Sequence, residues 1–469
     1  MGFWERRATH VIVLLAVGAA VFLPLLGQVQ HIDGREARHA KIAQTMLQTG
    51  LYSVPYVNGR PYIDKPPLFN WVEAFLYWAT GHAKDPSFLL ARLPSVLCAV
   101  VIMLCTYVLG ARWLSARAGF LAGLIWTTSW LVMEWGRFSR PDMMLAALIL
   151  TAIVLTDSAA AAGPGWRRVA FWCGACAVLS AATLSKGPQS LFYWGVATAA
   201  LWPARAERRL PPLWLVPIGL AIIAAPVTAW LLEAEHVHPG HFRDLTGYQF
   251  GKGLVEHPKR IVFYFDQIMV RTMPWGFFVV GAVYWLVRRV RRSGYDSAAV
   301  PGVVLAACLI ALTILTNKGA HYMLPVLPMW ALLLGMFLDR ALDCRRKAGP
   351  EAPAAPEQLP PWAFEWPLAV SLAALALLAT WAAFYFGPRV NYGWEGVIVF
   401  LATVAGLGAA GLMALLRKRA VKAFVILCVA LALIGAAINP VKSVYGPQEP
   451  SEWAQVLSGS GPSPALPTD

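Results

Sequence analysis

Long apolar stretches recur along this chain, and they limit what it can fold into. Thirteen are long enough to cross a bilayer: 10–29, 88–110, 116–133, 141–158, 168–185, 188–203, 212–232, 261–287, 299–316, 321–339, 366–386, 394–416 and 420–438. A spanning helix needs about 20 mainly apolar residues, because the hydrocarbon core is about 30 Å thick and a helix rises about 1.5 Å per residue. Composition agrees: 14% of the 469 residues are charged and mean hydropathy is +0.56. A soluble domain carries about 25% charged residues. The expected fold class is therefore an all-α polytopic membrane protein with about 13 transmembrane helices. The apolar run after "MGFWERRATH" could pass for a signal peptide. No small-residue cleavage site precedes the charges that follow it, and more spans come later, so it reads as a retained first span.

Lysine and arginine set the orientation. They gather in every second loop: Arg6–Arg7, Arg112 with Arg117, Arg167–Arg168, Arg205 with Arg208–Arg209, "RRVRR" at 288–292, "CRRK" at 344–347 and "RKRAVK" at 417–422. Thirteen spans then place the N-terminus in the cytoplasm and the C-terminus outside. The net charge of +14 sits in these short loops, so no nucleic-acid-binding face is expected. Six cysteines lie in apolar runs and Cys344 in a basic loop. No disulfide framework is expected, and Cys173-x-x-Cys176 reads as packing. The Pro/Ala-rich stretch 342–365 reads as a cytoplasmic linker. It separates a working module, 1–341, from a three-helix module, 366–438, and a short outer tail, 439–469.

The opposite loops hold nearly all the histidines and most of the acids. In the first of them, 30–87, residues 36–48 have helical periodicity. Ala40, Ile42, Ala43, Met46 and Leu47 share one face, and Arg38, Lys41, Thr45 and Gln48 the other. This is the pattern of a helix lying in the membrane interface. Glu36 and His39 fall on the apolar side, toward the protein. Asp33 stands three residues before Glu36, a capping-box spacing, so it is either an N-cap or a working carboxylate. In "NGRPYIDKPPLFNW" the Pro-Pro pair excludes helix and holds Asp64 and Lys65 on stiff extended backbone beside Tyr62.

Three more segments share that face. "RFSRPDMML" brings Arg137, Arg140 and Asp142, "LSKGPQ" brings Lys186, and "NKGAHYMLP" brings Lys318, His321 and Tyr322. Each alone reads as an interfacial anchor. Together they stand on the side where the positive-inside rule expects few cations. Cations with a few carboxylates at a bilayer surface suit a phosphate carried on a lipid tail. Lys and Arg would hold the phosphate and leave a carboxylate as base or metal ligand. His236, His238 and His241 are spaced loosely and read as solvated.

The order E-A-R-H-A-K-I-A, N-G-R-P-Y-I-D-K-P-P-L, R-P-D-M, S-K-G-P, H-P and H-Y-M-L-P-V-L-P resembles a known family over roughly residues 1–340. These are the bacterial glycosyltransferases related to 4-amino-4-deoxy-L-arabinose lipid A transferase, distant kin of the protein O-mannosyltransferases. The resemblance implies a GT-C fold with interfacial helices in the first periplasmic loop. It implies inverting sugar transfer from a polyprenyl-phosphate donor to a lipid or glycan acceptor, at the periplasmic face of the bacterial inner membrane. It further implies no nucleotide cofactor and a monomeric enzyme.

By the same resemblance, Lys65 and Arg38 bind the donor phosphate, with Lys186 and Tyr322 in support. Lys318 and Tyr62 complete the expected phosphate-binding set. Asp64 and His257 would hold a divalent metal, Zn or Mg. The family's catalytic carboxylate lies in the acidic motif after the first span. Here the position directly before Glu36 holds Arg35 rather than Asp. The carboxylate is therefore Asp33 or Glu36, with Asp33 narrowly favoured and Asp142 as a third candidate. A reading from another class is a transporter or flippase of a lipid-linked anion. That reading would place the charges at mid-membrane, whereas here they gather at one face.

Overall fold

The computed structural model describes residues 7–27, 34–204, 214–247, 260–315, 318–347, 359–386 and 394–445, and it is built mainly of helix. In chain order the first elements are α1 (Arg7–Phe22), α2 (Gly34–Thr49), the strands β1 (Tyr56–Val57) and β2 (Arg60–Pro61), and α3 (Leu68–Ala79). Then come α4 (Phe88–Trp113), α5 (Ala116–Thr127), α6 (Trp130–Trp135), α7 (Pro141–Ala161), α8 (Trp166–Lys186) and α9 (Gln189–Ala204). They are followed by α10 (Leu215–Val237), α11 (His241–Gly247), α12 (Phe263–Arg271), α13 (Val279–Ser293), α14 (Val300–Ile314) and α15 (Leu327–Lys347). The last three are α16 (Pro361–Phe386), α17 (Trp394–Leu416) and α18 (Ala420–Tyr445).

All thirteen apolar segments carry helix, but the helices differ in reach. Among the described residues, α4, α7, α8, α10 and residues 361–380 of α16 are long and apolar enough to cross a membrane. A sixth crossing results if α12 and the helical stretch Trp275–Ser293, which meet at 114°, form one span. Pro274 stands between them; it lacks an N–H and ends the helical ladder. The segment 116–133, expected as one span, is two helices, α5 and α6, interrupted at Thr128 and Ser129.

The helices meet through small residues. A Cβ added to Gly119 of α5 would lie 2.3 Å from the Tyr107 carbonyl oxygen of α4, and one on Gly335 of α15 would lie 2.7 Å from the Ala122 nitrogen. Lipid supplies no hydrophobic force between helices, so close backbone approach and van der Waals contact hold α4, α5 and α15 together.

The first outer loop has its own small structure. Asn58 and Gly59 both have positive φ, at 50° and 76°, and make the two-residue turn that pairs β1 with β2. Trp71 Nε1 donates to the Tyr52 carbonyl at 2.7 Å, and Trp230 Nε1 to the Ser53 carbonyl at 2.8 Å. These bonds fasten the loop to α3 and α10. On α2, Ala37, Ala40, Ile42, Ala43 and Met46 are 2% exposed or less, which is the face that periodicity predicts.

Helices α7 and α8 form an antiparallel pair. Pro141, which opens α7, and Lys186, which ends α8, therefore share one end of the bundle. Replacing Gly119 with Leu is expected to separate α4 from α5 and lower the melting temperature of the purified protein, since overpacking costs about 1–3 kcal/mol. Gly195→Ala, where an added Cβ meets nothing within 4 Å, should leave the melting temperature within error.

Candidate functional site

A buried carboxylate organises the end of the bundle where Pro141 and Lys186 meet. Glu36, in the first turn of α2, is 0% exposed. Arg92 of α4 grips it with both arms: Nε donates to Oε1 at 3.1 Å and Nη2 to Oε2 at 3.0 Å. The third arm, Nη1, donates to the Leu26 carbonyl at 2.9 Å. The Ser139 amide also donates to Glu36 Oε1, at 2.8 Å. Four stretches are thus joined: the segment after α1, the start of α2, the start of α4 and the turn before α7.

A second carboxyl, Glu73 of α3, accepts a hydrogen bond from the Ser139 hydroxyl. Asn70 Nδ2 lies 3.4 Å from Glu73 Oε2 and 3.1 Å from His39 Nδ1, which makes that nitrogen the acceptor. Burial first, then the nearby charge of Glu36, pushes Glu73 well above the usual carboxylate range, because a second anion beside Glu36 in the interior is costly.

Beside this network lies a cluster of cations. The Arg38 guanidinium sits 5.6 Å over the Tyr62 ring. The Tyr62 hydroxyl is hydrogen-bonded to both Arg38 and Asp64, and burial with the Asp64 charge pushes it above its ordinary range. Lys186 forms an ion pair with Asp142 and lies 5.1 Å from the Tyr322 ring. Arg140 packs 4.5 Å over Trp135, and His321 stacks on that indole at 4.9 Å.

Two imidazoles join the cluster into one. Burial lowers His39 to about 3, reinforced by Lys65 and Arg38 and opposed by Asp142. Burial also lowers His321 to about 3, opposed by Asp142 and reinforced by Lys186, Lys65 and Arg140. The charges of Lys65 and Asp142 act on both rings, and both rings are neutral near pH 7. Four cations, Arg38, Lys65, Arg140 and Lys186, face two carboxylates, Asp64 and Asp142. The cluster carries an excess of two positive charges and suits an anion.

Most of the residues expected from the sequence meet here: Arg38, Tyr62, Asp64, Lys65, Asp142, Lys186 and Tyr322. Lys318 is buried, at 5% exposure, two residues before the 3-10 turn Ala320–Met323 that carries His321 and Tyr322. Asp33 and His257 lie outside the described residues. Glu36, the other candidate carboxylate, is held in the interior by Arg92 and the Ser139 amide. Asp142 likewise spends its charge on Lys186. Among the described residues no three His, Cys, Asp or Glu side chains gather as a metal site.

Sequence reasoning missed Arg92, Asn70, Glu73, Ser139 and Trp135. Arg92 had a signal, because an arginine inside an apolar segment needs a partner. Glu73 had the same signal in the apolar run that forms α3. The Asn-Gly turn before Lys65 was equally legible as a hairpin.

Residues 64–230 match the family model described as dolichyl-phosphate-mannose-protein mannosyltransferase. Among curated proteins, undecaprenyl phosphate-alpha-4-amino-4-deoxy-L-arabinose arabinosyl transferase 2 of Proteus mirabilis is 24% identical over 326 residues, covering 66% of this chain and 56% of that protein. The corresponding transferase of Pectobacterium carotovorum is 25% identical over 357 residues, covering 72% and 60%. The chain thus spans less than two thirds of the length of these relatives. Among solved structures, apo ArnT from Cupriavidus metallidurans superposes with a TM-score of 0.65 at 19% identity, over 93% of this chain and 78% of that one. Its undecaprenyl phosphate-bound form gives 0.64.

The chain has the fold of that transferase. The arabinosyltransferase EmbB from Mycobacterium smegmatis is a more distant likeness, with a TM-score of 0.52 at 15% identity over 98% of this chain and 43% of that one. The likeness to ArnT-type transferases read from motif order recurs in these relatives, and the GT-C fold it implied is the fold of the ArnT structure.

Two outcomes follow from this geometry. Glu36→Gln leaves Arg92 buried and half-paired, so stability should fall by about 3–5 kcal/mol. In Glu36→Leu/Arg92→Met the loss should be smaller than the sum of the single changes. Denaturant or thermal unfolding of the purified variants checks this. The second outcome concerns pH. His39 titrates near 3 in the fold and near 6.5 when unfolded. The unfolded chain therefore takes up a proton that the fold refuses, and stability falls as pH drops from about 6.5 toward 3. His39→Gln should flatten that part of the melting-temperature profile.

Proposed function

We propose that this chain is an integral-membrane glycosyltransferase. It would move a sugar from a polyprenyl-phosphate donor to a lipid acceptor of the lipid A type, or to another envelope glycan, on the periplasmic face of the inner membrane. The observation that carries this reading is the excess of two positive charges around Arg38, Lys65, Arg140 and Lys186. When the bond between a sugar and a phosphate breaks, the phosphate goes from about one negative charge to about two. A preorganised cationic cluster favours that change over the ground state. The names of the relatives, and the undecaprenyl phosphate in one ArnT structure, point the same way.

In this reading Arg38 and Lys65 hold the phosphate oxygens, Arg38 with two parallel N–H groups. Lys186 and Arg140 complete the ring of charge, and Lys318 adds to the field. Asp142 keeps Lys186 in place, Tyr62 does the same for Arg38, and the Tyr322 ring backs Lys186. Asp33 is the proposed base. It takes the proton of the acceptor hydroxyl as that oxygen attacks the anomeric carbon from the face opposite the phosphate. The carbon–oxygen bond to phosphate breaks, polyprenyl phosphate leaves, and the configuration inverts. Glu36 is assigned to positioning: through Arg92 and Ser139 it fixes the start of α2, three residues after Asp33.

For the proposed metal pair, Asp64 is already engaged by Tyr62, and the described residues do not make a metal site by themselves. No step is routed through a metal. The proposed topology keeps thirteen crossings, with the N-terminus cytoplasmic, α2 and α3 in the outer interface, and a single chain as the working unit.

With purified protein in lipid nanodiscs and a polyprenyl-phosphate sugar donor, Lys65→Ala and Arg38→Ala should each lower turnover by about a hundredfold or more. Melting temperatures should stay near that of the parent. Asp33→Asn should lower turnover comparably. If both cation variants keep donor turnover within about twofold of the parent, the phosphate assignment fails. Mass spectrometry of envelope glycolipids from cells with and without the protein identifies sugar and acceptor.

A further inference from the structure

The α7–α8 pair has a second charged end. Each helix is 21 residues long, or about 30 Å, the thickness of the hydrocarbon core. The connection between them therefore lies at the membrane surface opposite Asp142 and Lys186. A cavity of about 720 Å³ opens there, lined among others by Arg112, Asp157, Ser158, Trp166, Arg167 and Phe171.

Its floor is Asp157, which is 1% exposed. Trp113 Nε1 donates to Asp157 Oδ1 at 3.0 Å, and Arg112 Nη1 reaches Oδ2 at 3.4 Å and the Ser158 hydroxyl at 2.8 Å. The Arg112 side chain remains 43% exposed. Arg167 is exposed and lies 5.9 Å over the ring of Trp166, which is itself 76% exposed. Gly165 precedes α8 and places no side-chain cap on it, so the positive end of the helix dipole faces the same space.

We propose that this cavity binds the headgroup of an anionic phospholipid. The phosphodiester sits between Arg112 and Arg167 at the start of α8, and the glycerol and first methylenes lie against Trp166 and Phe171. A free phosphate would satisfy the arginines but leave two exposed aromatic rings unused. Rings at headgroup depth are the usual companions of lipid. The site is separate from the cation cluster by the length of the helix pair, and a lipid held there would brace the hairpin that carries Asp142 and Lys186.

The test uses the full chain, delipidated in detergent, with native mass spectrometry counting bound phosphatidylglycerol and phosphatidylcholine. The expected result is preferential retention of phosphatidylglycerol, reduced about fivefold in Arg167→Gln. Arg167 is exposed, so this variant keeps the floor of the cavity. Arg243→Gln, an exposed arginine of α11 outside the cavity, should retain phosphatidylglycerol like the parent. Equal retention of the two lipids overturns the proposal, as does unchanged retention in Arg167→Gln. Displacement of phosphatidylglycerol by equimolar inorganic phosphate also overturns it, and would mark a soluble-phosphate site.

Discussion

The pairing of Glu36 with Arg92 is the interaction on which the outer end of this protein depends. A buried ion pair contributes little net stability, because desolvating both charges offsets most of their attraction. It contributes geometry instead. Arg92 donates to both Glu36 oxygens and to the Leu26 carbonyl, and the Ser139 amide completes the set. Arg38 and His39 follow Glu36 within one turn of α2, and Arg140 follows Ser139 directly. The pair therefore locates residues from two distant stretches relative to each other before any ligand arrives.

Around that anchor, buried ionisable groups are handled by different means. Glu36 is paired, burial pushes Glu73 well above the usual carboxylate range, and His39 and His321 are held neutral. Asp142 is matched by Lys186. Where Arg38, Lys65, Arg140 and Lys186 converge, the cations outnumber the carboxylates Asp64 and Asp142. A low-dielectric surround strengthens the field of those cations, and the neutral imidazoles keep it from growing further near pH 7. The aromatic rings of Tyr62, Trp135 and Tyr322 give the cations partners that orient them without cancelling their charge.

Helices α7 and α8 link this chemistry to the rest of the membrane domain. Their outer ends carry Asp142 and Lys186, and their far ends carry Asp157 and Arg167. Both helices are apolar enough to cross the bilayer, and their charged residues collect at the two ends. The charged termini set the depth of the hairpin, and the apolar length between them keeps the outer cluster and the opposite cavity apart.

Much of this was legible in one dimension. Apolar segment lengths determined that the chain is helical and membrane-embedded. Period alone determined the buried face of α2, and motif order pointed to Arg38, Tyr62, Lys65, Lys186 and Tyr322 as one site. The break at Thr128–Ser129 and the bend at Pro274 were not legible from hydropathy, which averages over such interruptions. Only the tertiary structure decided the role of Glu36, since its partner Arg92 is 56 residues away. Sequence spacing tells which side chains share a face of one helix. It cannot tell which charge on another helix will meet them, because that is set by the packing of helices through residues such as Gly119 and Gly335.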